Sequence, residues 1–133
     1  MTPSHPSPFL RRTLIVDAYL TGASALLLVL AAQPMSAPLG LPVTFLLGAG
    51  ISLVPFTMFL IYLLRRGDIP RAAVWFVVAC NALWAVDSIL LLFSGWVDPT
   101  IAGEVFVAFQ AVVVAVFAEM QFVALRRSTP RVA

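Results

Sequence analysis

The sequence predicts an all-α integral membrane protein: a four-helix bundle that crosses the bilayer up-down-up-down, with both termini in the cytoplasm. The first observation behind this prediction is composition. Of the 133 residues, 62% are hydrophobic and only 11% are charged, and the mean hydropathy is +1.03. A soluble domain is nearer half apolar and a quarter charged. The other two observations are four long apolar runs and a one-sided distribution of arginine.

Each apolar run is predicted to be one transmembrane helix, because a hydrocarbon core about 30 Å thick needs roughly 20 apolar residues per crossing. The runs occupy residues 14–32, 41–64, 72–96 and 101–125. They leave no room for a separate soluble domain. Residues 13–127 are therefore predicted to form the bundle, between a proline-containing, disordered cytoplasmic tail at 1–12 and a second cytoplasmic tail at 128–133.

The first run follows Arg11 and Arg12. A secretory signal peptide is the competing interpretation, since a basic pair, an apolar stretch and small residues at 35–37 occur in that order. Asp17 inside the run and Pro38 directly after the candidate cleavage site favour a retained helix instead.

The connections between the runs are short. The second run ends at an arginine pair, after which Gly67 and Pro70 stop one helix and start the next, so a tight hairpin loop is expected there. The links at 33–40 and 97–100 contain no basic residue. Within the second run, Gly48 and Gly50 are predicted to allow close contact with another helix.

The arginines predict the orientation. Arginine in short loops stays on the cytoplasmic side of a membrane, and every basic residue of this chain lies on one side of the four-helix path. This predicts a multi-pass protein of the cell inner (plasma) membrane with both termini inside. The basic residues are Arg11, Arg12, Arg65, Arg66, Arg71, Arg126, Arg127 and Arg131.

A faint internal repeat fits this layout. When Asp17 is placed over Asn81, the leucine triplets at 26–28 and 90–92 coincide, and the arginine pair at 65–66 corresponds to the pair at 126–127. The chain would then be two parallel copies of one helical hairpin. Chance similarity in a sequence so rich in Ala, Leu and Val is the alternative.

Three carboxylates, Asp17, Asp87 and Glu119, lie inside the apolar runs. An ionisable group at membrane depth costs several kcal/mol unless it pairs, becomes neutral or faces water. Other polar residues recur at helical spacing, which places them on shared faces. The residues predicted to bind a ligand or a proton are Asp17, Thr21, Asn81, Trp84, Asp87, Glu119 and Gln121.

These residues favour a polar pocket, centred on Asp17 with Asn81 and Asp87, that binds a small lipophilic or cationic ligand; proton-coupled transport is an extension of this hypothesis. Thr57 and either Glu119 or Gln121 are expected to contribute to the lining. The alternative is that the polar groups only hold helices together by hydrogen bonds, with Glu119 reaching towards the arginines at the helix end.

Two other functions stay open. A non-catalytic accessory or scaffold subunit would use the second polar face of the last helix, around Glu119, to pack against a larger membrane complex. A stoichiometric membrane-protein partner would favour this role, whereas a monomer or a homo-oligomer would favour the pocket. An enzyme acting on an isoprenoid or quinone would need two carboxylates near one ligand atom. No such pairing is visible in the sequence, so a non-enzymatic role is favoured.

Several function classes are excluded by residue counts. Cys80 is the only cysteine and His5 the only histidine, so an intramolecular disulfide, a haem or a metal held by imidazole has too few ligands. No cofactor is expected. The arginine groups are not interleaved with aromatic residues on a solvated surface, so nucleic-acid binding is not expected either.

The segments at 81–88 and 94–100, together with Asp17 and Gly22, resemble those of small bacterial four-helix integral membrane proteins. The resemblance covers most of the chain and implies the fold without implying an activity. Small multidrug exporters share the length, the four helices and an acidic residue in the first helix. The likeness to them stops at Asp17, and the one-sided arginines oppose the dual topology that those exporters often use.

Overall fold

The computed structural model describes residues 7–127, which form five α-helices. Four are long and apolar enough to cross a membrane, so the prediction of an all-α, multi-pass membrane protein is confirmed at that level. They are α1 (Pro8–Leu30), α3 (Val43–Arg65), α4 (Arg71–Ser94) and α5 (Ile101–Arg127), and a short helix, α2 (Ala32–Leu39), follows α1.

Helix α1 begins earlier than the apolar run does. Ser7 accepts a hydrogen bond from the Leu10 amide at 3.1 Å, and Pro8 occupies the first helical position. A serine cap followed by proline is a strong helix start, because the fixed proline φ suits the first turn and its missing N–H is not needed there. Residues 8–12, expected in a disordered tail, are therefore helical. The rest of the two predicted tails, residues 1–6 and 128–133, lies outside the described residues.

The link at 33–40, which lies outside the four predicted transmembrane helices, is mostly helix α2. Pro34 is the third residue of this helix, where a backbone N–H would have no partner within the helix. The helix ends at Gly40, which has φ +66°. Thr100 fixes this end, since its hydroxyl donates to the Pro38 carbonyl at 2.7 Å and its amide donates to the Leu39 carbonyl at 3.1 Å.

Two apolar cores close the bundle at its ends. The first, here called the arginine-end core, joins the start of α1 and α4 to the end of α3 and α5. The second lies at the opposite end, where α2 packs across α1, α3 and α5. The arginine-end core consists of Leu10, Leu14, Leu60, Leu63, Ile69, Val74, Val77, Ala124 and Leu125.

The long helices associate as two hairpin-like pairs. Helix α1 packs closely along α3, α4 packs closely along α5, and α1 also contacts α5. Helices α3 and α4 are consecutive in the chain, yet they lie in little close backbone contact with each other. They meet near the arginine end, where the rings of Phe59 and Phe76 are 5.4 Å apart. Beyond that point a gap separates them.

Two similar contacts occur at the arginine end, one in each half of the expected repeat. The Arg11 guanidinium donates to the Leu64 carbonyl at 2.5 Å, and the Arg71 guanidinium donates to the Leu125 carbonyl at 2.9 Å. Each arginine thus stabilises the negative end of the helix beside it. Matching Arg11 to Arg71 places Asn81 over Thr21 rather than over Asp17. Matching Leu64 to Leu125 requires a shift of one more residue, and only that second alignment keeps the arginine pair at 65–66 over the pair at 126–127.

Gly50 marks the closest approach of α1 and α3. A Cβ on Gly50 would lie 2.9 Å from the Leu28 Cβ, whereas a Cβ on Gly48 would meet nothing within 4 Å. Close contact was predicted for both glycines, and the structure confirms it only for Gly50. Gly48 lies on the exposed side of the same helix.

We expect Gly50→Val to lower the free energy of unfolding in detergent by about 1–3 kcal/mol, the usual cost of overpacking a tight contact. Gly48→Val is the matched control, since it changes β-branching and volume equally but lies in open space. Denaturant titration of both variants measures the difference. Equal losses in the two variants would contradict the close approach of α1 and α3.

Candidate functional site

Three polar side chains from three helices meet in the interior as a closed hydrogen-bonded group, the buried triad of Asp17, Asn81 and Gln121. Asn81 Nδ2 donates to Asp17 Oδ2 at 2.8 Å and to Gln121 Oε1 at 3.0 Å. Gln121 Nε2 donates to the same Asp17 Oδ2 at 2.7 Å. The triad ties α1 and α3 to α4 and α5, because Asp17 belongs to the first pair and its two donors to the second.

The carboxylate of Asp17 is fully engaged. Its side chain is 1% exposed, and its second oxygen accepts the Thr21 hydroxyl at 2.9 Å. All three donors are neutral, and both carboxylate oxygens act as acceptors. Such a set satisfies an acidic group that lipid could not hydrogen-bond. Asp17 is therefore held inside the protein by its neighbours.

A cavity of about 410 Å³ lies beside the triad, between the two apolar cores. Its walls are largely aliphatic and aromatic side chains of α1, α3, α4 and α5. Asn81 and Thr21 form part of the wall, whereas Asp17 and Gln121 do not. The polar residues of the wall are Thr21, Ser24, Ser52, Asn81, Trp84, Asp87, Ser88 and Gln110.

The cavity is open towards the side of the bundle. Its two ends are closed by the apolar cores, and three of the neighbouring helix pairs are in close contact. Helices α3 and α4 are the neighbouring pair without such close contact, so the cavity opens between them. Side chains from both of these helices line the cavity and are exposed, among them Ser52 of α3 and Leu83 and Asp87 of α4. In a membrane this opening faces lipid.

A second polar network fixes one wall of the cavity. Trp84 Nε1 donates to Gln110 Oε1 at 2.9 Å, and Gln110 Nε2 donates to Ser88 Oγ at 2.8 Å. Ser88 in turn donates to the Trp84 carbonyl at 2.7 Å. Since an indole N–H can only donate, it determines which way the Gln110 amide points. The indole ring is thereby held in one orientation against the cavity.

Asp87 stands apart from both networks. It lines the cavity and is exposed, and no residue among 7–127 donates a hydrogen bond to it or pairs with it as a cation. The only ion pair among the described residues joins Arg66 to Asp68 at 4.0 Å, outside the cavity. Asp87 is consequently the one carboxylate of this cavity with free acceptor oxygens.

The predicted site residues are thus divided between three places. Thr21, Asn81, Trp84 and Asp87 line the cavity, and Asp17 and Gln121 lie behind its wall. Glu119 is exposed on α5 away from the cavity. Thr57, expected in the lining, instead donates to the Leu53 carbonyl of its own helix at 2.8 Å. Asp87 lines the cavity, whereas Asp17, on which the predicted pocket was centred, does not.

Sequence reasoning left Gln110 out of the predicted site, although it orients Trp84. A polar side chain inside an apolar run was the feature that could have identified Gln110 as a site residue. The aromatic walls, formed by Phe45, Phe56, Phe106 and Phe117, had no such signal, because nothing distinguishes them from phenylalanines that face lipid.

Metal binding finds no support in the described part of the chain. Within residues 7–127, no three His, Cys, Asp or Glu side chains gather closely enough to hold an ion. Cys80 is a free thiol that lines the cavity.

No protein-family model, curated protein or solved structure matches this chain.

We expect Gln121→Leu to lower the free energy of unfolding by about 1–3 kcal/mol, because it leaves an Asn81 N–H unpaired and removes one donor from Asp17. Leucine fills a similar volume, so lost packing contributes little. Thr57→Val is the control, since it removes a hydrogen bond within a single helix and should cost below about 1 kcal/mol. Denaturant titration in detergent compares them. A loss for Gln121→Leu no larger than for Thr57→Val would show that the triad does not tie the helices together.

Proposed function

We propose that this membrane protein binds a small lipophilic or cationic molecule in the cavity between α3 and α4. The observation that carries the proposal is a largely apolar cavity of about 410 Å³ whose wall contains an unpaired carboxylate, Asp87. The volume lies within the usual range for small-molecule sites, which are mostly apolar with a few polar groups that orient the ligand. A lateral opening would admit molecules that partition into lipid.

Proton-coupled transport is compatible with this site and would use one of two carboxylates. Asp87 is accessible from the cavity, whereas Asp17 is separated from it by Asn81 and Thr21. Asp87 is therefore the residue at which a proton and a ligand would compete.

The up-down-up-down topology with both termini in the cytoplasm, in a cell inner membrane, is part of the same proposal. Its support is the meeting of all described arginine groups at one end, where Arg11 and Arg71 cap the ends of α3 and α5. Asp98, in the link between α4 and α5, and Glu104, in the first turn of α5, lie at the opposite end.

We expect green fluorescent protein fused after Ala133 to fluoresce in a bacterial host, and alkaline phosphatase fused at the same place to be inactive, because the arginine-rich end stays in the cytoplasm. Phosphatase fused after Asp98 should be active. Phosphatase activity from the Ala133 fusion would overturn the orientation.

The binding proposal is tested with 1-N-phenylnaphthylamine, a neutral lipophilic probe. Native mass spectrometry in detergent should show one probe molecule per chain. Ser52→Trp places a large ring on the exposed cavity wall and should lower occupancy, whereas Val54→Trp, on the exposed face of α3 outside the cavity, should not. Equal occupancy in both variants, or none in the unaltered protein, would refute binding in this cavity.

A second candidate function is supported by the position of Glu119. This carboxylate is exposed on α5 within a membrane-spanning helix, and no described residue hydrogen-bonds to it. A membrane-protein partner or a second copy of the chain that supplies a donor would relieve its cost in lipid, as an accessory subunit requires. Stoichiometric co-purification of a partner that is lost in Glu119→Gln would favour this function.

The enzyme hypothesis has no comparable support. The described cavity wall contains one carboxylate, Asp87, whereas Asp17 is enclosed and Glu119 faces the other way.

A further inference from the structure

The hydrogen bonds around the cavity determine which ligand charge it accepts. Most side-chain donors in the cavity wall already donate hydrogen bonds to other atoms of the protein. Both N–H groups of the Asn81 amide donate within the triad, and both of Gln110 donate, to Ser88 Oγ and to the Val107 carbonyl. A ligand that approaches these amides therefore finds no free N–H.

Most hydroxyl groups of the wall, and the indole of Trp84, also donate to atoms of the protein. Thr21 donates to Asp17, Ser52 donates to the Ala49 carbonyl at 2.8 Å, and Ser88 and Trp84 donate within their own network. Among the described residues of the wall, the Ser24 hydroxyl and the Cys80 thiol are the remaining side-chain donors. A thiol is a weak donor.

Acceptors, in contrast, are left over. Both oxygens of Asp87 are free. Asn81 Oδ1 accepts no hydrogen bond from residues 7–127 either, and no fully enclosed side-chain oxygen in that part of the chain lacks a partner. Asn81 Oδ1 must therefore be accessible, and the cavity is the space that Asn81 lines. The wall offers a carboxylate and a carbonyl oxygen against one hydroxyl donor.

The walls around these acceptors suit an apolar body. Trp84 and four phenylalanines line the cavity, and aromatic faces attract cations. Because lipid is a poor solvent for charge, an unpaired carboxylate at this depth gains most from a ligand that brings one positive charge with it. An anion would meet the same carboxylate with only the Ser24 hydroxyl and the weakly donating Cys80 thiol to offset the repulsion.

We propose that the ligand is a monovalent organic cation, an ammonium with an apolar body, whose charged group binds Asp87. This rests on the proposed function, since it names the ligand class of the same cavity. The opening between α3 and α4 would admit such amphipathic molecules from the bilayer.

Cys80 provides a native reporter for the test. It lines the cavity and is the only cysteine in the sequence, so N-phenylmaleimide, which partitions into lipid, should alkylate it alone. Mass spectrometry follows the rate, and Cys80→Ser confirms the site of labelling. Three probes of nearly one shape then differ in charge: 4-phenylbutylammonium, 4-phenylbutan-1-ol and 4-phenylbutanoate.

The ammonium should protect Cys80 at concentrations about tenfold lower than the alcohol, the difference expected from one added hydrogen bond to a charged group. The carboxylate probe should not protect it. Asp87→Asn should remove the advantage of the ammonium over the alcohol, with each rate compared with that of the same variant without probe. Glu119→Gln, which removes a carboxylate from a membrane-spanning helix outside the cavity, should leave the advantage unchanged.

The outcomes separate the two proposals. Equal protection by the ammonium and the alcohol in the unaltered protein overturns cation selection but leaves a lipophilic cavity in place, and this comparison needs no variant. Better protection by the carboxylate probe has the same consequence. If N-phenylmaleimide alkylates Cys80 and no probe protects it, both the ligand class and the accessible cavity are overturned.

Discussion

The structure depends on how polar groups find partners where the surroundings offer none. Lipid cannot donate or accept a hydrogen bond, so Asp17 at 1% exposure requires donors from the protein itself. Asn81, Gln121 and Thr21 supply them, and two of these come from the other pair of helices. An apolar contact between helices could slide along the helix axis with little penalty, because lipid competes equally well for it. The triad fixes the register of the two pairs.

This fixed point also explains where the cavity lies. The two pairs are joined through α1 and α5, at Asp17 and Gln121, whereas α3 has Leu60 at the position that corresponds to Gln121 in the repeat. Leucine can pack but cannot bond across to α4. The pairs are therefore held together on one side and separated on the other, beyond the Phe59–Phe76 contact. The opening lies on the side where no described side chain of α3 hydrogen-bonds to α4.

The three carboxylates within the apolar runs differ in how far the protein encloses them. Asp17 is satisfied and structural, Asp87 is unsatisfied within a cavity, and Glu119 is unsatisfied on the outer surface of α5. An unpaired carboxylate in lipid is costly, so the last two are the positions at which the proposed ligand and the proposed partner would bind. The ligand class proposed for the cavity depends on which hydrogen-bond donors and acceptors near Asp87 are already paired, and not on the number of acidic residues.

The amino-acid sequence was enough to locate the four long helices and to indicate lipid as their surroundings. Apolar runs of membrane length and the arginines at their ends depend on local composition alone. Ser7 and Pro8 also signal the start of α1, and Pro34 suits the first turn of α2. Both signals are missed when helices are located by apolar runs alone. Only the tertiary structure separated Asp17 from Asp87. Periodicity places a residue on a helix face, but which faces meet, and which donors are used before a ligand arrives, depends on side chains distant in the chain, such as Gln121 for Asp17 and Gln110 for Trp84.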